Sequence, residues 1–318
     1  MKNKMKNRIL YSLVALLYSI TTYADISAEP ESSKTQIVPL AQFENLNLTS
    51  QQIQSTSVGL LTQSESVMFI GLYTQHVFKN ALLHDFPRRY HTIDTLLDAK
   101  RGRYQYLGIF KSQSDKPVSG GINTFQAGAV YGYELIKEPN MSLVLGGGIA
   151  VGNFGLTTSN GDNWPIIPVP LVRWNYHSNS ANAKFEFLTS PNLSFTLAPK
   201  GKVRLIGDFR MDQLRDARDL IFELALAYRP YSEKDKFGDF AGLSIGLKND
   251  NYGAFKLGHK EEKESIEVHY YSLFTSVDIS VLKVSAGYAF GGRSLYREKQ
   301  KQDMGEGYFI SVQGMYPF

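Results

Sequence analysis

The chain has 318 residues with formal net charge +4, no cysteine, 27 glycines and 40 aromatic residues, of which 19 are Tyr, 19 Phe and 2 Trp. The absence of cysteine excludes a disulfide framework and an acylated lipoprotein start. The first 24 residues hold four basic and no acidic side chains, so removing them from a chain of +4 leaves 294 residues of net charge zero. Net charge therefore points to no nucleic acid or other polyanion.

Lys2, Lys4, Lys6 and Arg8 precede an apolar run from Ile9 to Ile20, and Thr21-Thr22-Tyr23-Ala24 follows. That is the layout of a secretory signal, and cleavage is expected after Ala24. The run is shorter than the roughly 20 apolar residues a spanning helix needs. Beyond it no stretch of 18 apolar residues occurs, so a membrane crossing by helices is not expected.

Residues 25–65 are rich in Gln, Ser, Thr and Glu and read as a poorly ordered periplasmic extension, with one early strand near Ile37 to Leu48. Val67 to Phe78 reads as a strand. Lys79 to Arg101 mixes apolar residues with charges and is compatible with an external loop or with a short amphipathic helix from Thr92 to Ala99, the latter a candidate plug.

From Gly102 onward the chain alternates. Gly102 to Lys111 is a strand, and from Asn123 the odd positions carry Phe125, Ala127, Ala129, Tyr131, Tyr133 and Leu135 while the even ones include Thr124, Gln126, Gly128, Gly132 and Glu134. Alternate side chains of a strand point to opposite faces, so this pattern separates an apolar face from a wet one. Further segments run from Met141 to Phe154, Ile166 to His177, Ala183 to Thr189 and Leu193 to Ala198.

The clearest strand starts at Val203, where Val203, Leu205, Gly207, Phe209 and Met211 alternate with Arg204, Ile206, Asp208, Arg210 and Asp212. The next inverts parity, with Leu220, Phe222, Leu224, Leu226 and Tyr228 on one face and Glu223 and Arg229 on the other. Charges facing hydrocarbon would cost several kcal/mol apiece, so these rows face a lumen. Arg204, Asp208, Arg210, Asp212, Glu223 and Arg229 are thus the candidate lumen-lining residues, either as a structural ion network or as the lining of a passage.

Phe240 to Lys248, Tyr252 to His259, Ser265 to Ser276 and Asp278 to Gly291 follow, with polar loops at 112–117, 157–163, 248–251, 259–264 and 297–306. The closing strand carries Tyr308, Ile310, Val312, Tyr316 and Phe318 at even positions. It resembles the carboxyl-terminal signal by which bacterial barrel-assembly machinery recognises its clients. Pro317 removes a ladder donor at the seam.

These segments number about 14, and some are expected to be halves of one strand. The fold expected is therefore an all-β, transmembrane, antiparallel up-and-down β-barrel over residues 66–318 with about 12 strands, ten or fourteen being the alternatives.

Chemical signatures are sparse. Outer-membrane phospholipases and lipid A deacylases use His-x-Ser-Asn, in which His and Ser share a strand face; here His177 is followed at i+2 by Asn179, and Ser178 points to the other face. Glu267 and His269 share a face but lack a third ligand. Gly146-Gly147-Gly148 lacks the Lys-Ser/Thr of a phosphate-binding loop and reads as close packing in a strand. No catalytic residue, metal or cofactor is assigned.

Trp164-Pro165-Ile166-Ile167-Pro168-Val169-Pro170, then Arg173-Trp174 and Ser190-Pro191-Asn192, resemble a family of bacterial outer-membrane β-barrel proteins classed as a domain of unknown function. In that family a Pro-containing strand, an aromatic and a short segment ending in Pro recur in this order. The resemblance covers most of the chain from Val67 and implies a fold and a Gram-negative envelope location rather than an activity. Pro165, Pro168 and Pro170 mark an edge, bulge or bend in the wall. The expectation is a non-enzymatic barrel, structural or a passive porin-like pore for small solutes, in contact with outer-membrane lipid. A lipid-modifying hydrolase using His177 and a surface receptor or adhesin acting through loops are the alternatives.

Overall fold

The computed structural model describes residues 35–79, 88–117, 121–154, 165–188, 190–211, 220–230, 241–254, 266–279, 281–296 and 300–315. They form β1 (Gln36–Leu48), β2 (Gln52–Gln63), β3 (Val67–Phe78), β4 (Arg89–Arg101), β5 (Tyr104–Ser114), β6 (Phe125–Glu138), β7 (Met141–Gly152) and β8 (Ile166–His177). Then come β9 (Ala181–Phe187), β10 (Pro191–Leu197), β11 (Val203–Met211), β12 (Leu220–Tyr228), β13 (Ala241–Ala254), β14 (Ile266–Ile279), β15 (Leu282–Tyr296) and β16 (Gln300–Met315). Each strand pairs antiparallel with its sequence neighbours, and β16 returns to β1 from Leu40↔Met315 to Leu48↔Gly307, closing the barrel.

The expected count of about 12 strands is corrected to sixteen. Only one pair of segments merges, because Lys248 to Asn251, expected as a loop, lies inside β13. Lys248 and Asp250 point inward and pair at 2.7 Å, while Asn249 on the other face accepts from the Phe222 amide at 2.6 Å and donates to the Leu220 carbonyl at 2.7 Å. A charged stretch is stable in the wall because Lys248, Asn249 and Asp250 find partners there.

Three strands lay outside that count: β2 and β4, which went unread, and β1, expected near Ile37 to Leu48 as part of the extension rather than of the barrel. The extension expected over 25–65 contributes β1 and β2 to the barrel, so the barrel begins at Gln36 rather than at 66. The upper half of β2 has no apolar row on either face: Ser55 meets His76 at 2.8 Å and Ser57 meets Thr74 at 2.7 Å inside, while outside Gln52 and Gln54 donate to Asn45 at 2.9 and 3.2 Å. The helix expected over Thr92 to Ala99 is strand β4, paired from Val67↔Ala99 to Val77↔Arg89 with β3. Its Ile93, Leu96 and Leu97 have helical spacing, but strand pairing satisfies every backbone group at once and prevails.

The outer face is apolar and exposed: Tyr131, Ile149, Leu226, Ile245, Leu273, Ile279, Tyr288 and Tyr308 all lie on it. Aromatic rings follow one another along it, Phe195 stacked on Phe209, Phe209 on Phe222 and Tyr271 on Phe290, with Tyr271 tilted against Phe222, and centroids 5.9–6.4 Å apart. Tyr308, Ile310 and Val312 of β16 face outward in the same way; Tyr316 and Phe318 lie outside the described residues. Gly146 and Gly148 sit where a Cβ would strike the Tyr131 and Ala129 carbonyls of β6, so close strand approach explains them.

A ring of sixteen strands ordinarily encloses an aqueous channel. Here β5 and β13, half-way round the ring from each other, come within 8 Å between Cα atoms, so the barrel is pinched. On the side of β1–β3 and β14–β16 the interior is filled by Leu46, Ile53, Phe78, Tyr270, Met304 and Phe309, all at most 2% exposed. A second apolar cluster, including Leu107, Val144, Val169 and Leu171, lies inside β5–β8, with Leu188 at the end of β9 packed into it.

Candidate functional site

Polar inward rows are concentrated on β8–β12. Arg173 of β8 is the centre of an ion-pair group, with Nε 2.6 Å from Glu186 of β9 and Nη1 2.7 Å from Asp98 of β4. β4 and β8 are not neighbours, so this contact is a chord across the interior. Gln105 donates to both Asp98 oxygens at 2.7 and 2.8 Å, and Lys184 lies 3.8 Å from Glu186. A buried guanidinium is tolerated because two carboxylates and the fork geometry of its donors compensate its desolvation.

Beside this chord lies a chamber of about 330 Å³. It is lined by the β2–β3 turn, by Asp98 and Lys100, by Arg173, Asn175 and His177, and by Lys184, Ser194 and Thr196. Both charge signs are present, with hydroxyls and amides between them. The chamber sits at the end of the barrel that carries short turns, near Ser178 to Ser180.

The described lumen candidates are spread over several contacts. Asp208 stands opposite Glu223 in the β11–β12 register, and Arg210, buried, is opposite Ile221. Arg229 turns to Asp278 of β14, Nη2 to Oδ2 2.9 Å, in space that Gly242 leaves free. Arg204 Nε donates to the Gly201 carbonyl at 3.0 Å, closing its own turn. Asp212 lies outside the described residues.

Sequence reasoning missed Asp98, Lys100, Arg173, Lys184 and Glu186. The signal was present in Lys184-Phe185-Glu186-Phe187, where charge alternates with aromatic, and in Asp94, Asp98 and Lys100 opposite Ile93, Leu97 and Ala99. The helix reading of 92–99 hid the second of these.

At the end of β8 the Ser178 hydroxyl donates to the Ala181 carbonyl at 2.9 Å and accepts from the Ala181 amide at 3.0 Å, so it is occupied in the turn. Among the described residues no group of three His, Asp or Glu side chains is placed to hold a metal ion.

These features define a closed, antiparallel up-and-down β-barrel with an apolar exterior and a partly polar interior. No protein-family model matches the chain, and no curated protein does. Among solved structures, OccAB3 of Acinetobacter baumannii is 9% identical with a TM-score of 0.44, covering 91% of this chain and 100% of that one. OccK5 (OpdH) of Pseudomonas aeruginosa is 13% identical with a TM-score of 0.37, over 91% and 99%. OccK8 (OprE) of the same organism is 10% identical with a TM-score of 0.36, over 91% and 99%. At these values the likeness carries no argument, and the fold rests on the strand pairing itself.

Proposed function

We propose that the chain is an outer-membrane barrel that lets small polar solutes pass passively through a constricted interior. The observation that supports this reading best is the polar chamber at the turn-bearing end, where an ion-paired chord narrows the lumen without closing it with apolar side chains. Mixed charge predicts weak ion selectivity. Refolded protein in a planar bilayer should give small, discrete conductance steps; no channel activity over a range of voltages would overturn the pore. The close approach of β5 and β13 favours the second reading, a structural barrel, which that silent bilayer would leave standing.

The apolar exterior supports contact with outer-membrane lipid, and the basic, apolar, small-residue amino terminus supports export with cleavage after Ala24. Mass spectrometry of the mature protein reads that site directly. The outward row of Tyr308, Ile310 and Val312, continued in sequence by Tyr316 and Phe318, supports recognition by barrel-assembly machinery. Phe318→Ala should slow membrane assembly in cells while leaving refolding in detergent unchanged. The Pro-containing segment around Trp164 to Pro170 remains the basis for placing the chain beside the barrel family of unknown function that it resembles.

A further inference from the structure

The outer face turns from apolar to polar at one end of four adjacent strands. On β1–β4 the outward residues Phe43, Val58, Tyr73 and Ile93 are apolar. Beyond them, toward the β3–β4 connection, the outward rows carry Asn45 on β1, Gln54 and Gln52 on β2, and His91 and Arg89 on β4, with Gln75 and Val77 between them on β3. The Lys79 amide donates to the Gln52 carbonyl at 2.9 Å, so the ladder runs one residue past β3 and Lys79 follows Val77 in the outward row.

Other strands keep an apolar outer face to the same end. On β11 and β12 the last outward pair is Met211 and Leu220. Those two strands have nine residues each, whereas β1–β4 have twelve or thirteen. The edge of the hydrocarbon is one plane around the ring, so β1–β4 stand above it and present their polar outer face to lipid head groups. In outer-membrane barrels turns are short on the periplasmic side and loops longer outside. The β2–β3, β4–β5, β6–β7 and β14–β15 connections have two or three residues, while 79–88, 153–165 and 255–265 join strands at the opposite end. The polar face therefore belongs to the outer leaflet.

This face is arranged in advance. Gln52 and Gln54 both donate to Asn45 Oδ1, at 2.9 and 3.2 Å, which sets three amides side by side and leaves the glutamine carbonyls as acceptors for hydroxyl groups. The Tyr73 hydroxyl is 2.6 Å from His91 Nδ1, and with Nδ1 accepting, Nε2 carries the ring proton and is a donor. Lys79 and Arg89 are exposed, and among the described residues neither has an ion-pair partner. Two carboxylates at the borders are engaged: Asp115 accepts from the Ser114 hydroxyl at 3.2 Å, and Glu306 from the Tyr288 hydroxyl. An ammonium beside a guanidinium suits a phosphate, which the planar fork of Arg can hold with two hydrogen bonds, and the amides suit sugar hydroxyls.

We infer that the outer face of β1–β4 at this end binds the phosphorylated sugar head group of an outer-leaflet glycolipid, with Arg89 and Lys79 on a phosphate and Asn45, Gln52 and Gln54 on the sugar. This rests on the outer-membrane reading proposed above, but not on conductance. It adds a ligand site on the exterior, separate from the chamber in the lumen.

Native mass spectrometry of the full-length protein in detergent micelles would read occupancy by diphosphoryl lipid A, by its dephosphorylated form and by phosphatidylglycerol. The site predicts saturable binding of diphosphoryl lipid A. Binding should weaken about tenfold in Arg89→Gln, the effect of one lost hydrogen bond to a charged group, and further when Lys79→Gln is added. It should be unchanged in Arg101→Gln, an exposed cation at the opposite end of β4. All three side chains are exposed, so these substitutions spare the packed interior. Equal binding of the dephosphorylated form or of phosphatidylglycerol would overturn the site, as would an equal loss in Arg101→Gln. Flotation with phosphatidylcholine vesicles separates the two readings. Failure to float removes the membrane reading and the site with it, whereas flotation without preference for lipid A removes the site alone.

Discussion

The two sides of this barrel obey one alternation rule and reach opposite interiors. Around β13–β16, strands of 14–16 residues turn Tyr270, Phe274 and Phe309 inward and pack them against β1–β3. Around β9–β12, strands of seven to nine residues turn Lys184, Glu186, Ser194, Asp208 and Glu223 inward. The outer rows of both sides are equally apolar. The wall is thus specified by the outward residues, and whether a region is plugged or wet is specified by the inward ones.

Polar groups brace both sides, but differently. On the tall side Lys248 and Asp250 pair beneath the Phe309 ring, whose centroid is 4.6 Å from the ammonium. The Tyr270 hydroxyl donates to Asp250 at 3.0 Å and lies 3.4 Å from Glu44 of β1. These contacts are local to an apolar core. On the low side Arg173 reaches across the interior to Asp98.

The contrast can be broken by substitution. Arg173→Met strands Asp98 and Glu186 as buried carboxylates, and should cost about 3–5 kcal/mol in the urea unfolding of refolded protein. It should also raise single-channel conductance, because the chord narrows the proposed path. Tyr270→Phe removes a hydrogen bond to a carboxylate and should cost about 1.5–3 kcal/mol by the same unfolding measurement, with no change in conductance. An altered conductance there would mean that the filled side also conducts, and the two sides would no longer differ in role.

Smaller effects sharpen the boundary between the sides. Asn249 extends the β12–β13 ladder past Glu223↔Lys248 at the Leu220 end of β12, so Asn249→Ala should lower stability by about 0.5–1.5 kcal/mol. Hydrogen exchange should speed up at Leu220 to Phe222 and not at the distant end of β12. Lys184→Glu replaces a chamber cation by an anion without touching the apolar core. The reversal potential under a salt gradient should then move toward cation preference, with unfolding midpoints little changed.

Much of the wall was legible because its period is local. The limits of β3 and β8 and the two faces of β12 follow from residues two apart, whatever lies elsewhere in the chain. β2 and β4 were not legible for the converse reason: their rows are polar on both faces or carry Leu96 and Leu97 side by side, and only the neighbouring strands decide between strand, loop and helix. Gln52 and Gln54 look like loop residues until Asn45 is seen to accept from both.

The sequence by itself determined the barrel class, its apolar exterior and the inward placement of charge, since alternation is a property of a strand alone. The tertiary structure decided the number of strands, the pinch between β5 and β13, the filling of one side and the partners of each charge. Those depend on which residues meet across the interior, and Asp98 and Arg173 are separated by 75 positions along the chain. No local pattern encodes that meeting, because closure of the ring brings it about.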